Sequence, residues 1–210
     1  MYHRNWFGPV GPGGDVWKVP APSDDQSFKS MLPQMALLSG GRSDAPLQIV
    51  CEDASGLSAN AMEAFRPPFP ETAALRMEGL RMSHYKLLGP STFATLATVT
   101  PNVRQIEFLD GAPLDAACIA SLAAMPKLDS LAIDKLAAQT LGESLALLEQ
   151  LGSCKKLSWL ALLGCYLGQR EIGVVIAACR LEELAVASQY DDEGQRAIQE
   201  DHPHCVIHWC

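Results

Sequence analysis

The 210-residue chain is 48% hydrophobic and 19% charged, with a formal net charge of -8, a balance that supplies a core and shows no signature of disorder. Its 16 Lys and Arg are scattered among 24 Asp and Glu, which argues against nucleic acid as a partner, because phosphate binding needs clustered cations. No run approaches the roughly 18 apolar residues that span a bilayer, so membrane insertion is not expected.

The first segment, residues 1–43, carries Gly8-Pro9, Gly11-Pro12-Gly13-Gly14 and Pro20-Ala21-Pro22, punctuation that argues against long helix or strand. It also carries Trp6, Phe7, Trp17 and Phe28, more aromatic side chain than a solvated linker needs. Two roles remain open for these rings: folding back as a cap on an exposed apolar end, or anchoring a partner. A short helix is expected over 31–38. Residues 44–210 form the second unit, in which an L-x-x-L-x-L pattern recurs. Its markers are Leu47 (weak), Leu75, Ile106, Leu131, Leu160 and Leu184, spaced by roughly 24 to 31 residues, close to a known structural repeat period. Each unit reads as a short strand with alternate apolar residues, such as Leu131 and Ile133, followed by a return helix. Helices are expected over 114–124, 141–151, 171–178 and 192–199. One such unit cannot cover its apolar side, so neighbours must stack.

The best unit runs Cys154-Lys155-Lys156-Leu157-Ser158-Trp159-Leu160-Ala161-Leu162-Leu163-Gly164-Cys165. With these repeats the chain resembles leucine-rich repeat proteins of the ribonuclease-inhibitor-like type, and this unit is similar to their cysteine-containing subtype. Elsewhere it departs from that pattern: Cys179 lies one place nearer its strand, Met125-Pro126 takes a Cys place, and Ser188 or Gln189 replaces another. The resemblance implies an α/β leucine-rich repeat solenoid of about six repeats including a C-terminal cap, with a curved parallel sheet on the concave face and helices on the convex face. It also implies a non-catalytic protein–protein interaction module, an adaptor or recognition subunit gripping its partner through the concave strands. The alternative is a structural or assembly subunit of a larger complex, anchored by the aromatic arm. Some relatives of the cysteine-containing subtype are substrate receptors of ubiquitin ligases, but no F-box segment is visible in 1–43.

Alternation along the strands sends Arg76, Glu107, Leu109, Asp134, Trp159, Leu163 and Glu183 to the concave surface. Trp159, Leu163 and Leu109 would form the apolar centre of a partner site, with Arg76, Glu107, Asp134 and Glu183 as its polar rim and Trp6, Phe7 and Trp17 as further anchors. Equally, Trp159 would be covered by the chain's own first segment. Seven cysteines at mostly interior positions suit a reducing intracellular compartment, cytoplasm or nucleus, with an organelle matrix also compatible.

Chemical motifs are sparse. His202, His204, Cys205, His208 and Cys210 form the one ligand-rich run. Strand alternation splits that run between two faces, so no metal is expected. No cofactor is expected either, since Gly11-Pro12-Gly13-Gly14 lacks the strand before it and the Lys-Ser or Lys-Thr after it that a phosphate loop requires. Intrinsic enzymatic activity is not expected.

Overall fold

Residues 14–38, 45–58, 60–67, 69–87 and 89–210 are described by a computed structural model. Within them, eight parallel strands hydrogen-bond to one another in chain order. They are β1 (Asp15–Val19), β2 (Leu47–Cys51), β3 (Met77–Ser83) and β4 (Gln105–Leu109). The second half comprises β5 (Ser130–Ile133), β6 (Trp159–Leu162), β7 (Glu183–Val186) and β8 (Val206–Trp209). Helices return the chain between strands: α1 (Asp25–Leu38), α2 (Glu71–Arg76), α3 (Pro90–Val99), α4 (Ala116–Leu122), α5 (Leu141–Leu151), α6 (Gln169–Cys179) and α7 (Asp192–Asp201). The architecture is α/β, a parallel sheet with alternating helices.

Successive residues of a strand face opposite sides, so register turns each strand's alternation into rows across the sheet. One inward row is Trp17, Ile49, Leu80, Ile106, Leu131, Leu160, Leu184 and Ile207. The other is Val19, Cys51, Met82, Phe108, Ile133, Leu162, Val186 and Trp209. All but Trp209 are buried, and they share one core with Leu96, Ile119, Leu148, Leu151, Ile172 and Val175 of the helices. A single strand-and-helix unit has no second layer to bury its apolar side. The rows are buried because the sheet and the helices cover each other's apolar sides.

Two expected strand markers are displaced. Leu75 lies on α2 and is half exposed, and Leu80 takes its place in the inward row. Pro70 caps α2 in extended conformation, where its fixed φ and missing donor favour a helix start, and the strand begins only at Met77. Ile49, not Leu47, aligns with Leu80. The first segment also contains more regular structure than its Gly and Pro content suggests. Asp15–Val19 is the edge strand, and α1 runs through Pro33. Asp24 starts α1 by accepting the Ser27 N–H at 2.7 Å, while its own N–H donates to Ser27 Oγ at 3.1 Å, a reciprocal cap. Phe28 then meets Phe65 edge-on at 5.9 Å, Phe65 meets Phe69 at 5.4 Å, and Trp17 meets Phe69 at 6.4 Å. These rings close the first end of the core.

Downstream, α4, α5 and α7 begin at side-chain caps. Thr140 and Glu143 form a capping box on α5, and Asp115 accepts the Cys118 N–H at 2.7 Å on α4. Asp115→Ala is expected to cost about 1 kcal/mol in urea unfolding, with no change in the cooperativity of the transition. A loss under about 0.3 kcal/mol would show that water replaces the cap.

Candidate functional site

The face of the sheet opposite the core carries two outward rows. One is Val16, Gln48, Gly79, Gln105, Ser130, Trp159, Glu183 and Val206; the other is Lys18, Val50, Arg81, Glu107, Ala132, Ala161, Ala185 and His208. Their chemistry divides the face in two. Toward β8, Leu109, Trp159 and Leu163 pack half-buried over Ala132, Ala161 and Ala185. Small residues there let the larger side chains lie down on the sheet.

Toward β1 the face is polar. Register places Arg81 beside Glu107, and the guanidinium Nε stands 3.4 Å from a carboxylate oxygen. Glu107 is only 5% exposed. Burial pushes its carboxyl up to about 7, and the Arg81 charge offsets only part of that rise. Gln48, also buried, lies across Gly79, where a side chain would press on its amide. A carboxyl that changes protonation near neutral pH beside a partly exposed guanidinium is the most chemically poised arrangement on this face.

The other expected site residues are dispersed. Arg76 sits at the end of α2, pairs with Asp15 and donates to the Ala45 carbonyl at 2.7 Å, away from the outward rows. Asp134 lies past the end of β5, accepting the Asp110 N–H, and burial raises its carboxyl. Glu183 meets His208 at 2.9 Å near the last edge. Trp17 is 4% exposed and belongs to the core. Trp6 and Phe7 lie outside the described residues. Arg81 is the residue that sequence reasoning missed.

The cysteines offer no ready nucleophile. Burial pushes Cys51, Cys154 and Cys205 up to about 11 and Cys118 and Cys179 up to about 12, so these thiols stay protonated. Tyr85, pushed up to about 12 by burial, donates a hydrogen bond from its hydroxyl to the Ser58 carbonyl at 2.8 Å. Among the described residues no group of three or more His, Cys, Asp or Glu is placed to hold a metal ion, and no helix is long and apolar enough to cross a membrane.

No family model matches the chain, and no curated protein matches it. Among solved structures it is similar to a Burkholderia cenocepacia J2315 protein described as a "putative lyase/mutase", with 11% identity over 93% of this chain and 76% of that one and a TM-score of 0.33. These findings correct the family expectation. The leucine-rich repeat assignment finds no matching model, and the structural neighbour is described as an enzyme. The non-catalytic adaptor or assembly subunit that followed from that assignment is withdrawn with it, as is the expectation of no enzymatic activity. The likeness is too slight to carry chemistry to this chain. Glu107, expected as a solvated rim charge, is itself buried, and burial pushes its carboxyl up to about 7.

Proposed function

We propose that the polar half of the outward face is an acid–base site, at which Arg81 holds a small molecule by an anionic group while Glu107 gives or takes a proton. The carrying observation is the pairing of a 5% exposed carboxyl with a guanidinium 3.4 Å away. While Glu107 is protonated, the Arg81 charge has no carboxylate to match it and attracts an anion. Once Glu107 ionises, the internal pair competes with that anion. Anion binding is therefore coupled to proton uptake, with the coupling limited to one proton. We also read the sheet as one wall of an open coil stack. This is supported by β1 pairing with β2 alone and β8 with β7 alone among the described residues.

Calorimetric titration with acetate, malonate and orthophosphate, in two buffers of different ionisation heat at pH 7.5, tests the acid–base site. A saturating anion is expected to take up part of a proton and to bind up to about tenfold more weakly per pH unit above 7. Arg81→Met abolishes the binding, and Glu107→Gln keeps the binding but abolishes the proton uptake. Buffer-independent heats in the wild type, or no saturation with any of the three anions, would sink the reading.

A further inference from the structure

A second charged feature lies at the edge where the strands start, away from the outward face. Asn102, Lys127, Lys156 and Arg180 each stand three residues ahead of the residue that leads β4, β5, β6 and β7. The leading residues Gln105, Ser130 and Trp159 are in register, and Asn102, Lys127 and Lys156 come together in a row ahead of them. A groove of about 620 Å³ opens along it, lined by Asn102, Lys127 and Lys156 together with Glu78, Arg104 and Asp129. The scattered cations of the sequence are brought into line here by the fold.

The local pairings show which charges remain available. Arg104 donates to Asp129 from Nε at 2.8 Å and from Nη2 at 2.6 Å, so those two charges answer each other. Lys127 Nζ is steered by Asn102 Oδ1 at 2.6 Å, a neutral partner that leaves its charge unmatched. Lys155 donates to the Gly152 carbonyl behind the end of α5 at 3.1 Å, the ordinary duty of a lysine at a helix C-terminus. Lys156 lines the groove beside Lys127, exposed and with no ion pair among the described residues. Glu78 is the remaining carboxylate of the lining. Within a chain of net charge -8, this groove is biased toward positive charge.

We infer that this groove binds a small molecule bearing two or more neighbouring anionic groups, a short polyphosphate in chemical class, with Lys127 and Lys156 on successive groups. Adjacent strands lie about 4.8 Å apart, so two ammonium groups on neighbouring coils reach consecutive anionic groups of one ligand. A single orthophosphate engages only one of them well. The site is independent of the Arg81–Glu107 pair.

Titration of the full chain with inorganic triphosphate at low salt, with orthophosphate in parallel, tests the inference. Triphosphate is expected to bind at one site at least tenfold more tightly than orthophosphate, weakening as salt rises. The double variant Lys127→Ala/Lys156→Ala loses at least tenfold in affinity with an unchanged circular dichroism spectrum. Lys155→Ala, one residue away on the same exposed turn, and Arg81→Met both bind as the wild type does. Equal losses in the double variant and in Lys155→Ala would overturn the inference, because they indicate diffuse attraction, and so would the absence of a saturable triphosphate site.

Discussion

Phe108→Ala is expected to destabilise the protein by about 3 to 5 kcal/mol, the largest single effect anticipated in this chain. Phe108 is 1% exposed and lies between the Tyr85 ring at 5.6 Å and the Phe93 ring at 5.8 Å. Its row neighbours are Met82 and Ile133, so its loss opens a cavity against two strands and two aromatic rings at once. Those neighbours are held from elsewhere. Tyr85 is tethered through its hydroxyl to Ser58, and Phe93 is built into α3, which limits how far they can move in to fill the space. Because β4 pairs with β3 on one side and β5 on the other, damage at Phe108 weakens packing on both sides. Urea unfolding of wild type, Phe108→Leu and Phe108→Ala checks this, with the Leu variant expected to lose less than half as much. A loss below about 1.5 kcal/mol for the Ala variant would mean that the surrounding rings collapse into the gap.

The second large effect is a pH dependence owed to Glu107. Its carboxyl sits at about 7 in the folded protein against an ordinary 4.5, so between those values the folded state holds a proton that the unfolded state has released. The sign follows directly: Glu107's contribution is fully present below about pH 4.5, declines as pH rises, and is lost once pH passes about 7. A shift of this size corresponds to roughly 3 kcal/mol between the two limits. Stability measured from pH 4.5 to 8.5 is expected to fall across that window in the wild type. In Glu107→Gln this component disappears, which leaves the variant more stable than the wild type at pH 8 by about 2 kcal/mol or more. Superimposable profiles for the two proteins would show that the folded carboxyl ionises in the ordinary range. The same profile bears on the acid–base site, since a carboxyl that is already ionised at pH 6 has no proton to exchange near neutrality.

Much of the periodic structure was legible because burial leaves a pattern of residue types. The apolar residues Ile106, Leu131, Leu160 and Leu184 mark four successive strands, and α5 occupies the 141–151 segment expected from its helical spacing. Legibility failed at the first strands for a specific reason. The tripeptide Leu-Arg-Met occurs twice, at Leu75-Arg76-Met77 and again at Leu80-Arg81-Met82, and only the second lies in the inward row. Spacing held the clue, since Leu80 lies closer to the repeat period from Ile106 than Leu75 does. The misplacement put Arg76 on the outward face and hid Arg81, the one cation in register with Glu107. Glu107 itself was found, but its alternation specified only its face, not its burial. The first segment was misjudged because Gly and Pro counts weigh against regular structure locally. Pairing of β1 with β2 and packing of Phe28 on Phe65 override that local penalty.

Sequence alone therefore determined the alternation of short strands and helices from β4 onward, the inward residues of those strands, and the acidic balance of the chain, because each depends on residue type and local spacing. Tertiary structure decided which residues meet. Register between strands set Arg81 beside Glu107, and the fold laid Trp159 over three alanines and brought Lys127 to Lys156. The physical reason is that pairing energies act between residues 23 or more positions apart, where a slip of one place exchanges the two faces of a strand. No local pattern of side chains records that choice.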